Sequence, residues 1–330
     1  MAFNKILIFT EAGKGIGFGH LTRCRSIGNA FVLAGFKCEY IIETKEFEPD
    51  NKQGEYSFSW HNELYLDKNP ENCITLIDSY LADKNCIKKI ADFYPFTAVI
   101  DDYNRIEYPV NLIINPGEDL NQIDYSNQKA EILKGVDYIL LRPEVAAKAH
   151  EYHFFNDSIN KILITVGGSD IHDILFPVGE LVSKLLPESQ VQILCPEAAK
   201  AELLSGNLLN CQILPRQNAE EMVSLFLQAD LVISACGQTL HELAALGTPF
   251  IAFLTGDDQR YNQEFYFQNK ILKQKIRFDD VNLTSKLASN INQLIPASTR
   301  MELSRRLAGL IDIKGPENIL NAIISKANNK

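Results

Sequence analysis

Apolar, β-rich runs alternate with helical patterns along nearly the whole of this 330-residue chain. One series of such runs begins at residues 5–10 and a second begins at residues 161–166. Strands that are separated by helices form parallel sheets, because a parallel pair needs a long crossover connection. Two series in one chain therefore predict two doubly wound α/β domains.

The pattern also predicts the elements and the domain limits. Strands are expected at 5–10, 37–42, 73–77, 98–101, 112–114, 138–141, 161–166, 191–194, 212–214, 231–234 and 249–253. Helices are expected at 21–33, 85–93, 177–186, 219–228 and 239–245. The polar segment 142–160 has no period, which predicts domains at 1–148 and 149–330. The last thirty residues, 301–330, are helical in pattern and could pack across both domains.

The net charge and the cysteines indicate which partners and which cellular compartment to expect. The formal net charge of −10 argues against nucleic acid as the main partner, because neutralising phosphates needs clustered Lys and Arg. Seven scattered cysteines without a C-x-x-C pair are typical of a reducing cytoplasm. No run approaches the ~18 apolar residues of a membrane span, so we expect a cytoplasmic protein without a transmembrane segment. The oligomeric state stays open, and a monomer is compatible with the sequence.

A glycine-rich loop joins the first predicted strand to the first predicted helix. Four glycines stand within seven residues, at positions 13, 15, 17 and 19. A tight turn alone is the alternative interpretation, but it needs fewer glycines. The spacing is neither G-x-G-x-x-G nor a P-loop. The loop therefore predicts phosphate or sugar contact without indicating a cofactor.

One ionisable side chain, His20, stands where this loop becomes the helix. A lone histidine is more often structural than catalytic. The positive end of a helix, however, favours the neutral imidazole, which can accept a proton. His20 is thus a candidate general base.

A second candidate site follows the predicted strand 231–234. Gly237 lies in the turn and Thr239 near the helix start, where main-chain N–H groups can hold a diphosphate. Glu242 lies on the same helix face and could accept both hydroxyls of a ribose. The alternative is a capping box in which Thr239 is the N-cap and Glu242 reaches back to it.

Acids, amides and phenols follow other predicted strands. They stand in Asp78-Ser79-Tyr80, Asp101-Asp102-Tyr103 and residues 257–263. Polar loops at the carboxyl ends of parallel strands are the usual ligand positions. The adjacent acids Asp101 and Asp102 could hold Mg²⁺, but adjacent acids are often only a loop. No metal or cofactor motif is present, so we expect neither.

Taken in order, six segments resemble the UDP-sugar hydrolase of pseudaminic acid biosynthesis and its relatives described as spore-coat polysaccharide glycosyltransferases. The segment Gly17-Phe18-Gly19-His20-Leu21-Thr22-Arg23-Cys24 resembles the family's N-terminal loop. The other segments are Ile77-Asp78-Ser79-Tyr80, Tyr138-Ile139-Leu140-Leu141-Arg142, Val166-Gly167-Gly168-Ser169-Asp170, residues 218–222 with 230–242, and residues 311–315.

The resemblance implies a GT-B fold, in which two Rossmann-like domains flank a cleft, and a UDP-sugar as the substrate. His20 would activate water to attack the anomeric carbon with inversion, and Tyr80 and Asp258 would be the other catalytic side chains. No metal would be required. UDP-sugar contacts would come from Gly17, Gly19, Arg23, Gly168 and Ser169, from Asn218 and Ala219 near uracil, from Gly237, Gln238 and Thr239 at the diphosphate, from Glu242 at the ribose, and from Gln259 at the sugar.

Two departures from the family pattern lie near the implied sugar site. Ser79 replaces a histidine, and Asp258 replaces an asparagine. The leading hypothesis is hydrolysis of a UDP-linked N-acetylated amino or deoxy sugar for nonulosonic acid or surface-polysaccharide synthesis. The alternatives are an inverting glycosyltransferase in polysaccharide biosynthesis and a non-catalytic UDP-sugar-binding protein.

Overall fold

A computed structural model describes residues 3–13, 16–44, 48–117, 123–149, 155–167, 170–208 and 211–329. The chain divides into two compact units. Unit 1 comprises Met1–Arg142 and Lys314–Lys330, and unit 2 comprises Pro143–Ile313. The change between units thus falls at 142/143, six residues before the expected 148/149, and the end of the chain returns to unit 1.

Unit 1 contains a parallel sheet in the order β3-β2-β1-β4-β5-β6-β7. Its strands are β1 (Lys5–Glu11), β2 (Lys37–Glu43), β3 (Glu55–Ser57), β4 (Cys73–Asp78), β5 (Phe96–Ile100), β6 (Leu112–Asn115) and β7 (Glu131–Lys134). Alternate residues of β1 enter different cores, with Ile6 and Ile8 in one and Leu7 and Phe9 in the other. Burial on both faces explains the continuous apolar run.

Unit 2 contains a second parallel sheet, in the order β10-β9-β8-β11-β12. Its strands are β8 (Lys161–Thr165), β9 (Gln190–Leu194), β10 (Cys211–Leu214), β11 (Leu231–Ala235) and β12 (Phe250–Phe253). In each sheet the strand order reverses beside the first strand, at β1/β4 and at β8/β11. Such switch points are the usual ligand positions of doubly wound folds.

Eleven helices lie within the described residues. They are α1 (Gly19–Leu33), α2 (Lys84–Phe93), α3 (Pro143–Lys148), α4 (Leu175–Leu185), α5 (Ala198–Asn207), α6 (Ala219–Gln228), α7 (Thr239–Leu246), α8 (Arg260–Gln268), α9 (Leu283–Leu294), α10 (Ala297–Leu307) and α11 (Gly315–Asn328). Gly35 follows α1 with φ +89°, which glycine adopts without strain.

The last helix, α11, belongs to unit 1 because its apolar face packs against α1. Ile319 and Ile323 are fully buried in the same core as Phe31. Gly315 begins this helix, and a Cβ there would lie 1.9 Å from the Ile139 carbonyl oxygen. Only glycine allows that approach, which explains why a glycine begins this helix.

One predicted strand is wrong, and two edge strands, β3 and β7, were not predicted. The predicted strand at 138–141 is absent from the sheet, although Ile139 and Leu141 are buried. The edge strand of that side is β7, which is only half-buried and therefore lacks a strong apolar signal. A short apolar run cannot distinguish a strand from buried irregular chain.

Candidate functional site

The first candidate site lies at the switch point of unit 1, where α1 begins beside β1 and β4. Gly17 has φ +80°, a conformation that favours glycine, and Gly19 is the first residue of α1. His20 follows as the second residue of the helix and is buried, with 7% of its surface exposed. The glycine loop therefore leads directly to the candidate base.

Asp78, at the end of β4, holds the His20 ring. Its Oδ1 lies 2.8 Å from His20 Nδ1. Burial alone would raise the pKa of Asp78, but the charges and hydrogen bonds of Arg23 and His20 hold that pKa well below its usual range. The ionised carboxylate can only accept, so Nδ1 is the donor, and in the neutral ring the lone pair therefore lies on Nε2. Arg23 Nη2 lies 3.4 Å from the same Nδ1, a weaker contact than the one to Asp78.

Arg23 connects two carboxylates of this edge. Its Nε lies 2.6 Å from Asp78 Oδ2, and its Nη1 lies 2.8 Å from Asp102 Oδ2. Ion pairs with both acids neutralise the guanidinium locally and fix Asp78 beside His20. The geometry gives Arg23 a positioning role, and its expected contact to a UDP-sugar stays a prediction.

Tyr80 packs its ring edge-on against His20, with ring centroids 4.4 Å apart and an interplanar angle of 89°. Its hydroxyl donates a hydrogen bond to Asp102 Oδ2. Burial and the charge of Asp102 raise the pKa of Tyr80 far above its usual range. The phenol thus stays protonated and restrains the imidazole, while its expected catalytic contact to substrate remains a prediction.

Two residues of this site were not singled out from the sequence. Glu11, at the end of β1, is fully buried and accepts hydrogen bonds from Ser79 Oγ and Tyr80 N. His61 lies on its other side, with Nε2 3.5 Å from Glu11 Oε2. The available signal was an acid that ends an apolar strand at the edge where ligands bind.

The second candidate site lies at the switch point of unit 2, where α7 follows β11. Gln238 is the N-cap of α7, makes no side-chain capping bond, and precedes Thr239 as the first helical residue. The capping box expected as an alternative for Thr239 and Glu242 is therefore wrong. Glu242 is buried in the first turn. The main-chain N–H groups of a helix start favour anions.

Other predicted contacts of unit 2 lie at the same edge. Asn218 is the N-cap of α6, where it forms a capping box with Glu221, and Ala219 begins the helix. Gln259 folds back onto Thr255, to which its amide group both donates and accepts. Asp258 is exposed beside it. The predicted residues Gly168 and Ser169 lie outside the described residues.

Within the described part of the chain, no group of three or more His, Cys, Asp or Glu side chains is arranged to hold a metal. In the same residues, no helix is both long enough and apolar enough to span a bilayer. All seven cysteines are free thiols.

Sequence comparison relates the second unit to a known domain. Residues 162–309 match the glycosyltransferase family 28 C-terminal domain. An uncharacterized protein of Methanocaldococcus jannaschii is 26% identical over 287 residues, which cover 80% of this chain. The chain spans only 58% of that relative's length. The Bacillus subtilis spore coat polysaccharide biosynthesis protein SpsG is 23% identical over 260 residues, covering 73% of this chain and 75% of SpsG.

Structural comparison identifies the architecture. The crystal structure of Acinetobacter baumannii MurG has a TM-score of 0.64 at 13% identity and covers 97% of this chain and 99% of its own. A Staphylococcus aureus MnaA–UDP structure has a TM-score of 0.65 at 9% identity, covering 99% and 97%. The expected GT-B fold of two Rossmann-like units is confirmed.

Proposed function

We propose that this chain is an inverting hydrolase of a UDP-linked N-acetylated amino or deoxy sugar, of the 2,4-diacetamido-2,4,6-trideoxyhexose type. The observation that carries the proposal is the 2.8 Å contact between His20 Nδ1 and Asp78. This contact leaves Nε2 as a proton acceptor at the start of a glycine-led helix. A buried, oriented imidazole with a free lone pair is the arrangement that a general base needs.

In the proposed reaction, one proton of water moves to His20 Nε2 while the water oxygen bonds to C1 of the sugar. The bond between C1 and the diphosphate oxygen breaks, and UDP leaves with the electron pair. Attack from the opposite face inverts the anomeric centre. Asp78 and Arg23 hold the ring through this change, and Asp78 stabilises the imidazolium that forms.

Unit 2 would bind the nucleotide. The start of α7, with Gly237, Gln238 and Thr239, would hold the diphosphate, and Glu242 would accept the ribose hydroxyls. Asn218 and Ala219 would lie near uracil, Gly168 and Ser169 would complete the phosphate site, and Gln259 and Asp258 would contact the sugar. Support comes from the family 28 domain match and from a similarly folded protein solved with UDP.

The biological setting is part of the proposal. The name of the B. subtilis relative connects it with spore coat polysaccharide biosynthesis. We propose that this chain likewise serves surface-glycan or nonulosonic acid synthesis, acting in the cytoplasm, where free cysteines persist.

The test uses UDP-2,4-diacetamido-2,4,6-trideoxy-β-L-altrose and a panel of UDP-N-acetylhexosamines without any acceptor. The native protein should release UDP and free sugar from at least one donor. His20→Asn should lower kcat by about 10³-fold and leave the Kd for UDP unchanged, since general-base catalysis contributes roughly 10²–10⁴. Retained turnover in H20N would refute the base assignment, and no release from any donor would refute hydrolysis.

An inverting glycosyltransferase is the second candidate, and the family 28 domain match favours it. In that case His20 or Asp258 would deprotonate an acceptor hydroxyl. UDP release that requires an added saccharide or lipid-linked acceptor would select the transferase. UDP binding without turnover under either condition would indicate a non-catalytic UDP-sugar-binding protein.

A further inference from the structure

Glu11 is a fully buried carboxylate that lies between two imidazoles. Its Oε1 is 3.9 Å from His20 Nε2, and its Oε2 is 3.5 Å from His61 Nε2. Its hydrogen-bond donors are the hydroxyl of Ser79 and the main-chain N–H of Tyr80. In the described residues, Glu11 forms no ion pair with Lys or Arg. Among the described residues, the cations within its reach are therefore the protonated forms of these two histidines.

This placement matters when His20 takes up a proton. A buried carboxylate without a cation is unfavourable, and a buried imidazolium without an anion is equally so. Asp78 already contacts Nδ1 at 2.8 Å, so a proton on Nε2 would place one carboxylate beside each ring nitrogen. Both charges would then be compensated at the same moment.

We propose that Glu11 is a positioning residue for His20, which stabilises the protonated ring from the Nε2 side, and that His61 competes with His20 for it. The catalytic consequence rests on the proposed hydrolysis. The electrostatic coupling between the three side chains does not depend on it.

His61 is in contact with solvent as well as with Glu11. Trp60 anchors its loop by a hydrogen bond to the Thr10 carbonyl, and 19% of the His61 side chain is exposed. The groups that face the ring are Glu11, Ser79 Oγ at 3.4 Å from Nε2, Glu43 at 3.8 Å from Nδ1 and, at longer range, Asp83. Burial lowers the pKa of His61 despite these carboxylates.

The groups that face His20 are Asp78, Arg23, Tyr80 and Glu11. At neutral pH, His61 is uncharged and Glu11 is available to His20. As the pH falls, His61 takes up a proton and becomes the counter-ion of Glu11. Glu11 then stabilises the His20 imidazolium less, because the two imidazoles share this one carboxylate and their protonation is coupled through it.

The test is an NMR titration of the histidine C–H signals in ligand-free protein, with H20N and H61Q identifying the two signals among six histidines. Glu11→Gln keeps the shape of the side chain and removes its charge. The midpoint of the His20 signal should fall by about one pH unit in E11Q, as loss of a nearby opposite charge predicts. Glu11→Asp, which keeps the charge, should recover part of that shift.

A matched control is Glu43→Gln, which removes the carboxylate on the far side of His61. It should shift the His61 midpoint and leave the His20 midpoint unchanged. A His20 midpoint in E11Q within ~0.2 pH units of the native protein would overturn the proposal. An equal shift in E43Q would do the same, because it would indicate a general field effect.

Turnover supplies an independent measurement. E11Q should lower kcat by about 100-fold with the Kd for UDP unchanged, as loss of a preorganised charge does. H61Q should move the acid limb of the pH–kcat profile to higher pH, because Glu11 then stays with the His20 imidazolium at every pH, and a profile that H61Q leaves unaltered would refute the competition. If the native protein turns over no donor, the proposed function fails, while the titration still decides whether Glu11 is coupled to His20.

Discussion

The two switch points of this molecule offer different chemistry. In unit 1, the edge between β1 and β4 brings together Asp78, which bonds to His20 and Arg23, and Glu11, which lies 3.9 Å from His20 Nε2. In unit 2, the edge between β8 and β11 presents the start of α7, where the side chain of the N-cap residue forms no capping bond to the helix. The first edge is therefore suited to proton transfer, and the second to holding an anion.

Because of this difference, substitutions at the two edges should have different effects on function. Side chains that position one another lose their function together when one charge is removed. An anion site made of main-chain N–H groups does not depend on any single side chain. It weakens, however, when an added side chain keeps the ligand away from the main chain. Variants at the first edge should therefore change kcat, and variants at the second should change the affinity for UDP.

The largest effect is expected for Asp78→Asn. It replaces the carboxylate beside His20 Nδ1 with a neutral amide, which no longer stabilises the imidazolium or pairs with the charge of Arg23, so kcat should fall by about 10³-fold, within the range for general-base catalysis. Breaking the buried ion pair should also lower the free energy of unfolding by about 3–5 kcal/mol. Steady-state kinetics and urea unfolding measure the two effects.

Asp101→Asn is the matched control for that variant. Asp101 is equally buried at the neighbouring strand end, where it accepts hydrogen bonds from Tyr108 and Tyr125. D101N should lower stability without a comparable loss of kcat. An equal loss of kcat in both variants would contradict the role assigned to Asp78.

The two units should lose stability at different pH values on acidification. Burial lowers the pKa of His241 in unit 2 to about 4, against about 6.5 when unfolded. As the pH falls, the His241 ring takes up its proton in the unfolded chain before it does so in the folded chain. Unit 2 should therefore lose about 3 kcal/mol of stability between pH ~6.5 and ~4. His61 of unit 1 is only half-buried and its pKa is lowered less, so it costs that unit less stability over the same range. The ionised Asp78 of unit 1 stabilises above its unfolded pKa of about 3.9, and that contribution is lost only below it.

Trp60 is the single tryptophan and lies in unit 1, so its fluorescence reports that unit alone. On acidification, far-UV circular dichroism should begin to change at a higher pH than Trp60 fluorescence does. His241→Gln should bring the two transitions closer together. Coincident transitions in the native protein would contradict the difference between the units.

Glu242→Ala is expected to have the next largest effect. Hydrogen bonds to a charged group contribute about 1.5–3 kcal/mol, so the Kd for UDP should rise by roughly 10- to 150-fold. At saturating donor, kcat should change little, because the His20 cluster is intact. Calorimetry with UDP measures the affinity, and UDP affinity equal to that of the native protein would exclude the ribose contact.

Gly237→Ala should have the smallest effect on the fold. A Cβ at Gly237 meets nothing within 4 Å, and its φ lies outside the left-handed region, so stability should change by less than about 0.5 kcal/mol. A diphosphate near the main chain would meet that methyl group, so UDP affinity should fall severalfold. Unchanged affinity would show that Gly237 does not face the ligand.

The sequence predicted where the candidate sites lie in the two sheets better than it predicted which side chains contact one another there. The periodic helix at 219–228 and the placement of His20 at the start of α1 agree with the structure, because both are local patterns. Glu11 and His61 were missed because they meet through tertiary packing, 50 residues apart in the chain. The edge strand β7 was missed because its side chains are only half-buried.

The most direct test of the central claim is hydrolysis of the UDP-sugar in H₂¹⁸O without an acceptor. Attack of His20-activated water on C1 predicts ¹⁸O on C1 of the released sugar, an inverted anomer by NMR at early times, and no label in UDP. Label in the UDP phosphate would place the cleavage at phosphorus. Either that result or a requirement for an added acceptor would contradict the account.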